Sequence, residues 1–415
     1  MLTDYFSSPR TLKRLRSGPI GPFVEGFAEE LKKAGYSRIT IRAHLGASSH
    51  LCQWANTKNL AVADLNAAVG ARFVQHIPHC RCRPCQGKYI HSARAGEELF
   101  RTYLCEIGAI PPRNPINPEK TEIELMDAFR NWMKQNRGVT ERTLDTYRPI
   151  ITSLLEFTAG DPSRMDSHSV RAFVPHYAEL RGRTSVRGVT TALRTFLRYL
   201  IAEGKCRVDL DAAVPVVAVW RSATLPRYLP APDVERIIAA CDPSTPTGSR
   251  DRAIILLLAR LGLRGDDVVR LECCDIDWQK ANIRVSGKGR RETLLPLTQE
   301  VGDAILAYFQ RGRPAVDSDR VFIRAIAPLR PFLNTGLVSR LVARAMQRAG
   351  VITPFRGAHV LRHSAATQML RGGISLEDIG AVLRHRSIET TAQYAKVDVE
   401  LLKLIAQPWP EVRSC

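Results

Sequence analysis

Long apolar runs, a secretory signal and a disulfide framework are all missing from this sequence of 415 residues. The longest apolar stretches, residues 212–220 and 253–259, are far shorter than the roughly 20 residues that span a bilayer. No charged segment followed by an apolar one opens the chain, as it does in signal peptides. The ten cysteines are mostly scattered along the sequence. We therefore expect a cytoplasmic protein with reduced thiols and no membrane partner.

Acidic residues are scarce relative to basic ones. The chain has 60 Lys and Arg residues against 41 Asp and Glu residues, which gives a formal net charge of +19. A folded chain with this excess is typical of proteins that bind a polyanion, most often nucleic acid. A basic surface without any such partner is the alternative.

Two proline-rich breaks, at residues 110–120 and 219–232, divide the chain. Proline removes a backbone donor and disfavours helix in the residue before it, so neither stretch continues a helix. We predict a mobile basic arm at residues 1–19, a helical domain at 20–112, a second helical domain at 118–207, and a larger domain at 227–407.

The two helical segments resemble one another. Matched residues keep the same order, while the offset between them falls from 103 positions at the start to 96 at the end. We interpret the first segment as a diverged copy of the second, each a small helical bundle; chance similarity between helical segments is the alternative. The matches include Gly35 with Gly138, Thr40 with Thr143, Leu51 with Leu154, Phe100 with Phe196, Tyr103 with Tyr199, and Gly108 with Gly204.

The third segment changes character. Residues 276–297 predict a β-hairpin with a glycine-containing turn, and helical apolar spacing surrounds it on both sides. We predict a mainly α chain whose C-terminal domain carries a small antiparallel β-sheet, an α+β arrangement.

The polar residues of this domain suit one reaction, the transfer of a phosphodiester to a tyrosine hydroxyl. Two guanidiniums can bind the charged oxygens of a pentacoordinate phosphorus, because each presents a fixed fork of donors. A tyrosine has a free pKa of ~10, so a base or a positive field must assist its deprotonation. A lysine in a turn can protonate the departing oxygen. No metal or cofactor is required. The residues are Arg264, Lys288, His359, Arg362, His385 and Tyr394.

Four motifs carry a resemblance to a known family. They are the Gly-Leu-Arg turn at 262–264, the Gly-Lys-Gly turn at 287–289, the His-x-x-Arg-His box at 359–363, and a Leu-Arg-His box at 383–385 followed nine residues later by Tyr394. In this order they resemble the catalytic domain of the tyrosine recombinases, the phage-integrase family.

The resemblance implies a role for each residue. Tyr394 is the nucleophile that becomes linked to a DNA 3′ phosphate, and Lys288 is the general acid. The scissile phosphate is held by Arg264, Arg362 and His385, while His359 assists proton transfer. Two positions depart from the family pattern. Asp267 stands where glutamate is commoner, and Arg384 stands where glycine is usual; Arg384 either perturbs the local geometry or adds a phosphate contact.

Residues 118–207 resemble the helical core-binding domain of the same family, which closes around duplex DNA together with the catalytic domain. The resemblance implies double-stranded DNA as the partner and a homo-oligomer, tetrameric on paired sites, with related recombinases as further partners. Candidate backbone contacts, with a solvated helix face as the alternative, are Arg181, Arg183, Arg187, Arg194 and Arg198.

A cluster of thiols and imidazoles lies within the first segment. Cys80, Cys82, Cys85 and His79 are spaced closely enough to bind Zn²⁺. The spacing is not that of a standard zinc finger, and a basic DNA-contacting loop with incidental thiols is the alternative.

These observations predict a site-specific DNA recombinase, of the integrase or transposase kind, that acts without a cofactor through a 3′-phosphotyrosine. Two alternatives remain at this point. One is a catalytically silent DNA-binding accessory protein, and the other is a topoisomerase of the type IB kind.

Overall fold

A computed structural model describes residues 2–80, 90–110, 120–158, 161–181, 186–216, 227–286, 292–355, 357–385 and 387–397. Two compact units make up the chain. The first comprises Met1–Asn59, Ile77–Phe100 and Arg221–Cys415, and the second comprises Leu60–His76 and Arg101–Trp220. No helix in these described ranges combines the length and the apolar character needed to cross a membrane.

Residues 2–216 form nine α-helices and no β-strand in the described ranges. They are α1 (Pro9–Arg16), α2 (Gly21–Lys33), α3 (Arg38–Thr57), α4 (Ala67–His76), α5 (Ile90–Glu106), α6 (Lys120–Arg137), α7 (Glu141–Phe157), α8 (Ser167–Arg181) and α9 (Val186–Ala202).

The order of elements repeats within this series. A short 3-10 turn separates α3 from α4, at Val62–Asp64, and another separates α7 from α8, at Pro162–Arg164. The first residues of α3 and α7 are 103 positions apart, and those of α5 and α9 are 96 apart, the same offsets that the matched residues show. This correspondence favours the interpretation that α2–α5 are a diverged copy of α6–α9.

The N-terminal basic segment differs from the mobile arm that we expected. Residues 9–16 form helix α1, and Leu2 and Leu15 are fully buried. Proline at the first helical position favours a helix start here, because its fixed φ suits that position. Burial of these two leucines stabilises the packed segment, although charged residues surround Leu15 in the sequence.

The C-terminal part confirms the predicted α+β arrangement. Strand β1 (Ile276–Asp277) pairs with β2 (Asn282–Ser286), and β2 pairs with β3 (Glu292–Pro296), both antiparallel. The register aligns Ser286 with Glu292 across the hairpin. The helices of this part are α10 (Ala231–Ala239), α11 (Pro246–Ala259), α12 (Gly265–Arg270), α13 (Gln299–Arg311), α14 (Thr335–Arg348), α15 (Ala358–Arg371), α16 (Leu376–Leu383) and α17 (Ile388–Ala392).

Helix α11 is the centre of the C-terminal core. Every residue from Ala253 to Ala259 is buried, and the helix packs against α13 and α15. A helix that is apolar all round must be enclosed on every side. The chain that leaves α11 is therefore held in the interior, and it leads directly to Arg264.

Candidate active site

The turn after α11 positions Arg264. Gly262 has a φ of +59°, and a β-carbon there would lie 2.6 Å from Leu383 Cδ2, so both backbone conformation and packing require glycine. Arg264 precedes the first residue of α12, and its backbone N–H donates to Asp267 Oδ2 over 2.8 Å. Asp267 thus fixes the start of α12 and with it the backbone of Arg264.

Arg362 lies on α15 and links two distant turns. Its side chain is buried, and its guanidinium donates to the carbonyl oxygens of Gly262 and Leu383. Burial, together with the charge of Arg264, lowers the pKa of Arg362 to about 10. The guanidinium therefore stays protonated at neutral pH, as a phosphate ligand must.

The C-terminal end of α16 accepts hydrogen bonds from both arginines. Leu383 O accepts from Arg362, and Arg384 O accepts from Arg264 Nη2 over 3.0 Å. The last carbonyls of a helix have no partner within it, so they are free to orient donors from elsewhere. Two guanidiniums are held in this way against the chain that leads into His385.

His385 lies directly after this helix end. Its Nδ1 is 2.8 Å from Thr391 Oγ1, which fixes the orientation of the ring. Burial and the charges of Arg362 and Arg264 lower the pKa of His385 to about 4. The imidazole is therefore neutral at pH 7, and Thr391 occupies one of its two nitrogens.

Tyr394 lies in the 3-10 turn Gln393–Val397 that follows α17. Its side chain is 1% exposed, in an apolar cluster that includes Leu383, and its ring is nearly parallel to that of His385 at a centroid distance of 6.3 Å. Burial raises the pKa of the phenol, while the charges of Arg362 and Arg264 act to lower it. Both guanidiniums therefore favour the ionised phenol, while burial opposes its ionisation.

His363 is a contact of Tyr394 to which the sequence assigned no role. Its Nδ1 is 2.8 Å from the phenol oxygen. Burial, with the charges of His359 and Arg362 added, lowers the pKa of His363 to about 4, so this imidazole is neutral at pH 7. The sequence feature that could have indicated this role is the position of His363 four residues after His359, on the same face of α15.

The structure brings five of the six predicted residues into one region. Arg264, Arg362, His385 and Tyr394 interact as described, and His359 lies one turn before Arg362 on α15, exposed. Although His359 is accessible to solvent at the surface, desolvation by the protein around it, followed by the charges of Arg362 and Arg264, lowers its pKa. Lys288 lies outside the described residues. The positive charges of the two arginines, next to neutral imidazoles, make this region suited to a phosphate.

Two of the five predicted DNA-contacting arginines have partners within the protein. Arg194 Nη2 donates to Val214 O and Pro215 O, over 3.1 Å each, and Arg198 Nε donates to Asp211 Oδ2 over 2.8 Å. Arg183 lies outside the described residues. Arg181 ends α8 and Arg187 lies near the start of α9, and nothing is described of their side chains. Their DNA contacts stay predictions.

The thiol cluster of the first segment is described only in part. Cys80 Sγ is 3.1 Å from Nε2 of His50, a residue of α3 that the sequence did not suggest because it lies far from the cluster in the chain. His79 is exposed, in the 3-10 turn before Cys80. Cys82 and Cys85 lie outside the described residues. Zinc binding stays a prediction.

Comparison with known proteins identifies the family. Residues 227–400 match the phage integrase family, and residues 126–204 match the N-terminal SAM-like domain of phage integrases. The integrase/recombinase y4rA of Sinorhizobium fredii is 37% identical over 405 residues, which cover 96% of this chain and 97% of that protein. The tyrosine recombinase XerD of Vibrio vulnificus is 32% identical over 290 residues, 68% of this chain and 92% of that protein. The chain therefore belongs to the phage integrase family of tyrosine recombinases.

Two solved structures share the fold. The site-specific recombinase XerH bound to a palindromic difH substrate superposes with a TM-score of 0.54 at 18% identity, covering 84% of this chain and 97% of that one. A lambda integrase dimer bound to a COC′ core site gives a TM-score of 0.51 at 19% identity, covering 71% of this chain and 99% of that one. The fold is thus that of site-specific recombinases.

Proposed function

We propose that this recombinase cuts and rejoins DNA strands at specific sites through a 3′-phosphotyrosine at Tyr394. The observation that carries the proposal is geometric: Arg362 and Arg264 donate to the carbonyls of Leu383 and Arg384, directly before His385, and the ring of His385 lies nearly parallel to that of Tyr394. The charges of both arginines act to lower the pKa of the phenol, against the effect of its burial. Two guanidiniums that act on a phenol oxygen are what the transfer of a phosphodiester to that oxygen requires.

The chemical step forms one bond to phosphorus and breaks another. Tyr394 Oη bonds to the scissile phosphorus as the bond to the 5′ oxygen breaks, and that oxygen leaves with the electron pair and a proton from Lys288. The phenol proton passes to a neutral imidazole, with His359 assisting and His363 already 2.8 Å from the phenol. Attack by the 5′ hydroxyl of the partner strand reverses these events and reseals the DNA.

The guanidiniums stabilise the charge that develops in this step. The trigonal-bipyramidal phosphorus carries one more negative charge than the resting phosphodiester. Arg264 and Arg362 are fixed by the carbonyls of Arg384, Gly262 and Leu383, so they need little reorganisation as that charge appears. His385, neutral and held by Thr391, adds a further hydrogen-bonding group to the phosphate.

Duplex DNA is the partner that we propose, in the cytoplasm, where DNA and reduced thiols occur together. The net charge of +19 supports a polyanionic partner. Lambda integrase has been solved as a tetramer bound to a Holliday junction. We propose the same stoichiometry for this chain on paired sites, with copies of itself or with related recombinases.

Trapping the covalent intermediate tests the proposal. We expect wild-type protein to form a denaturation-resistant adduct with nicked suicide duplexes drawn from the DNA that flanks its gene. Tyr394→Phe should form none. Tyr228→Phe is the matched control, because Tyr228 lies in the same domain with its hydroxyl bonded to Arg371, and it should form the adduct normally.

The same experiment, together with a plasmid-relaxation assay, separates the alternatives. Wild-type protein that binds the duplex but never forms an adduct would be a silent accessory protein. Relaxation of supercoiled plasmid without site preference would indicate a topoisomerase. An adduct that persists in Tyr394→Phe would show that another residue is the nucleophile.

A further inference from the structure

Arg384, the residue directly after α16, has a backbone conformation that is unfavourable for its residue type. Its φ and ψ are 55° and 50°, in the left-handed region, where a β-carbon crowds the backbone. A glycine would adopt this conformation without strain. In an arginine, contacts of the side chain can offset the cost of this conformation.

The side chain of Arg384 is bound to Asp267. Its Nη2 pairs with Asp267 Oδ2, and both side chains are 7% exposed. The same Oδ2 accepts the backbone N–H of Arg264 over 2.8 Å. The carboxylate therefore joins the start of α12 to the end of α16 through one oxygen atom.

Arg384 reaches Arg264 from a second direction. The carbonyl oxygen of Arg384 accepts from Arg264 Nη2 over 3.0 Å. Arg264 is therefore held at its backbone through Asp267 and at its guanidinium by the main chain of Arg384. A change in the backbone of Arg384 would move the guanidinium of Arg264 relative to its own α-carbon.

The guanidinium of Arg384 is not placed to bind DNA itself. Its Nε and Nη1 are buried and have no hydrogen-bond partner among the described residues. Since these atoms are closed off from solvent, a phosphate oxygen cannot approach them in this arrangement. The charged group therefore acts through Asp267 rather than on a substrate.

We propose that Arg384 is a positioning residue for Arg264, coupled to it through Asp267. The proposal rests on the role of Arg264 as a ligand of the scissile phosphate. The ion pair holds Arg384 in its left-handed conformation, and that conformation directs the Arg384 carbonyl toward Arg264. Arg384 and Asp267 thus act as one unit that sets the geometry of the phosphate site.

A double-mutant cycle tests this coupling with Arg384→Ala, Asp267→Glu and the combined variant. Alanine keeps the cost of the left-handed conformation but loses the ion pair with Asp267. At saturating DNA, we expect Arg384→Ala to lower the single-turnover rate of adduct formation about 10- to 100-fold, because small displacements of a catalytic group have effects of that size. The dissociation constant for DNA and its salt dependence should stay at wild-type values. In the background of Asp267→Glu, the same Arg384→Ala change should cost much less.

Arg384→Gly is the matched control, because glycine adopts the left-handed conformation without help from the ion pair. It should form the adduct faster than Arg384→Ala, with the same affinity for DNA. Arg384→Gln, which keeps the β-carbon but loses the charge, replaces Arg384→Ala if that variant does not fold. Thermal unfolding of each variant shows whether it is folded, so that rates are compared only between folded proteins.

Three results would overturn the proposal. One is equal rates of adduct formation in folded Arg384→Ala and Arg384→Gly. Another is a loss of affinity with a salt slope reduced by about 0.9, which would reveal a direct phosphate contact. The third is additive effects of the Asp267 and Arg384 changes. If the wild-type protein itself forms no adduct, it is the proposed function that fails.

Discussion

At the scale of single residues, the two imidazoles beside Tyr394 stay neutral at pH values where the histidines of an unfolded chain become protonated. His363 and His385 have pKa values of about 4 in the folded protein, whereas an unfolded chain has histidine pKa values of ~6.5. The unfolded state therefore binds protons first as the pH falls. Each ring contributes stability above pH ~6.5 that is lost as the pH falls toward 4.

The free energy of unfolding should reflect this difference. We expect wild-type protein to lose stability between pH 7 and pH 5, and His363→Gln to lose less, because one of the two half-buried rings is gone. Denaturant titrations at both pH values measure the change. His168→Gln, at an exposed position on α8, is the control and should follow the wild type. Equal losses in His363→Gln and wild type would contradict a lowered pKa for His363.

The residues of the site were largely predictable from sequence, but their contacts were not. The order and spacing of the motifs pointed to Arg264, Arg362, His385 and Tyr394 as one site. The same spacing does not say which histidine of the His-x-x-Arg-His box turns toward the phenol. His363 meets Tyr394 across 31 positions of chain, through the packing of α15 against the turn after α17.

At the scale of elements, the turn at Gly262 connects the core helix α11 to the site. Gly262→Ala places a methyl group 2.6 Å from Leu383 Cδ2 and forces an unfavourable φ of +59°. The left-handed conformation alone costs an alanine about 1–2 kcal/mol. Because Gly262 O also accepts from Arg362, we expect a larger loss of stability and a lower rate of adduct formation.

Gly350→Ala is the matched control for that change. Gly350 has a φ of +65°, but nothing lies within 4 Å of a β-carbon there. It should lose only the conformational term, about 1–2 kcal/mol by chemical denaturation, and cleave at the wild-type rate. Equal effects of the two variants on both stability and rate would show that the Gly262 turn does not position the site.

The thiol cluster after α4 gives a separate prediction. If it binds Zn²⁺ with His50 among its ligands, purified protein should contain zinc, and His50→Ala and Cys80→Ser should each lower the content measured by elemental mass spectrometry. Cys273→Ser, at an exposed thiol elsewhere, should not. Protein that holds no zinc above the buffer blank would favour the loop with incidental thiols.

Element types were predictable where the periodicity is strong, as in α11 and the hairpin. The prediction of a mobile arm at residues 1–19 was wrong in part. The charge of residues 10–16 favours a solvated segment, but Leu15 is buried and the segment packs on the protein. The 3-10 turn that holds Tyr394, after α17, has no such periodicity. Such short segments are set by tertiary contacts, which sequence periodicity does not report.

At the scale of the whole molecule, the net charge of +19 determines how the affinity for DNA depends on salt concentration. We expect the logarithm of the binding constant to fall linearly with the logarithm of salt concentration, by about 0.9 per phosphate neutralised. Fluorescence anisotropy with a labelled duplex measures this slope. A recombinase that holds duplex DNA through many phosphates should show a steep slope, and a flat response would contradict this mode of binding.

The bond between protein and DNA tests the central claim most directly. After nuclease and protease digestion of the trapped adduct, mass spectrometry of the remaining peptide identifies the residue and the end of the DNA to which it is joined. The account predicts a nucleotide linked through its 3′ phosphate to the phenol oxygen of Tyr394. A linkage through a 5′ phosphate, or to any other side chain, would contradict it.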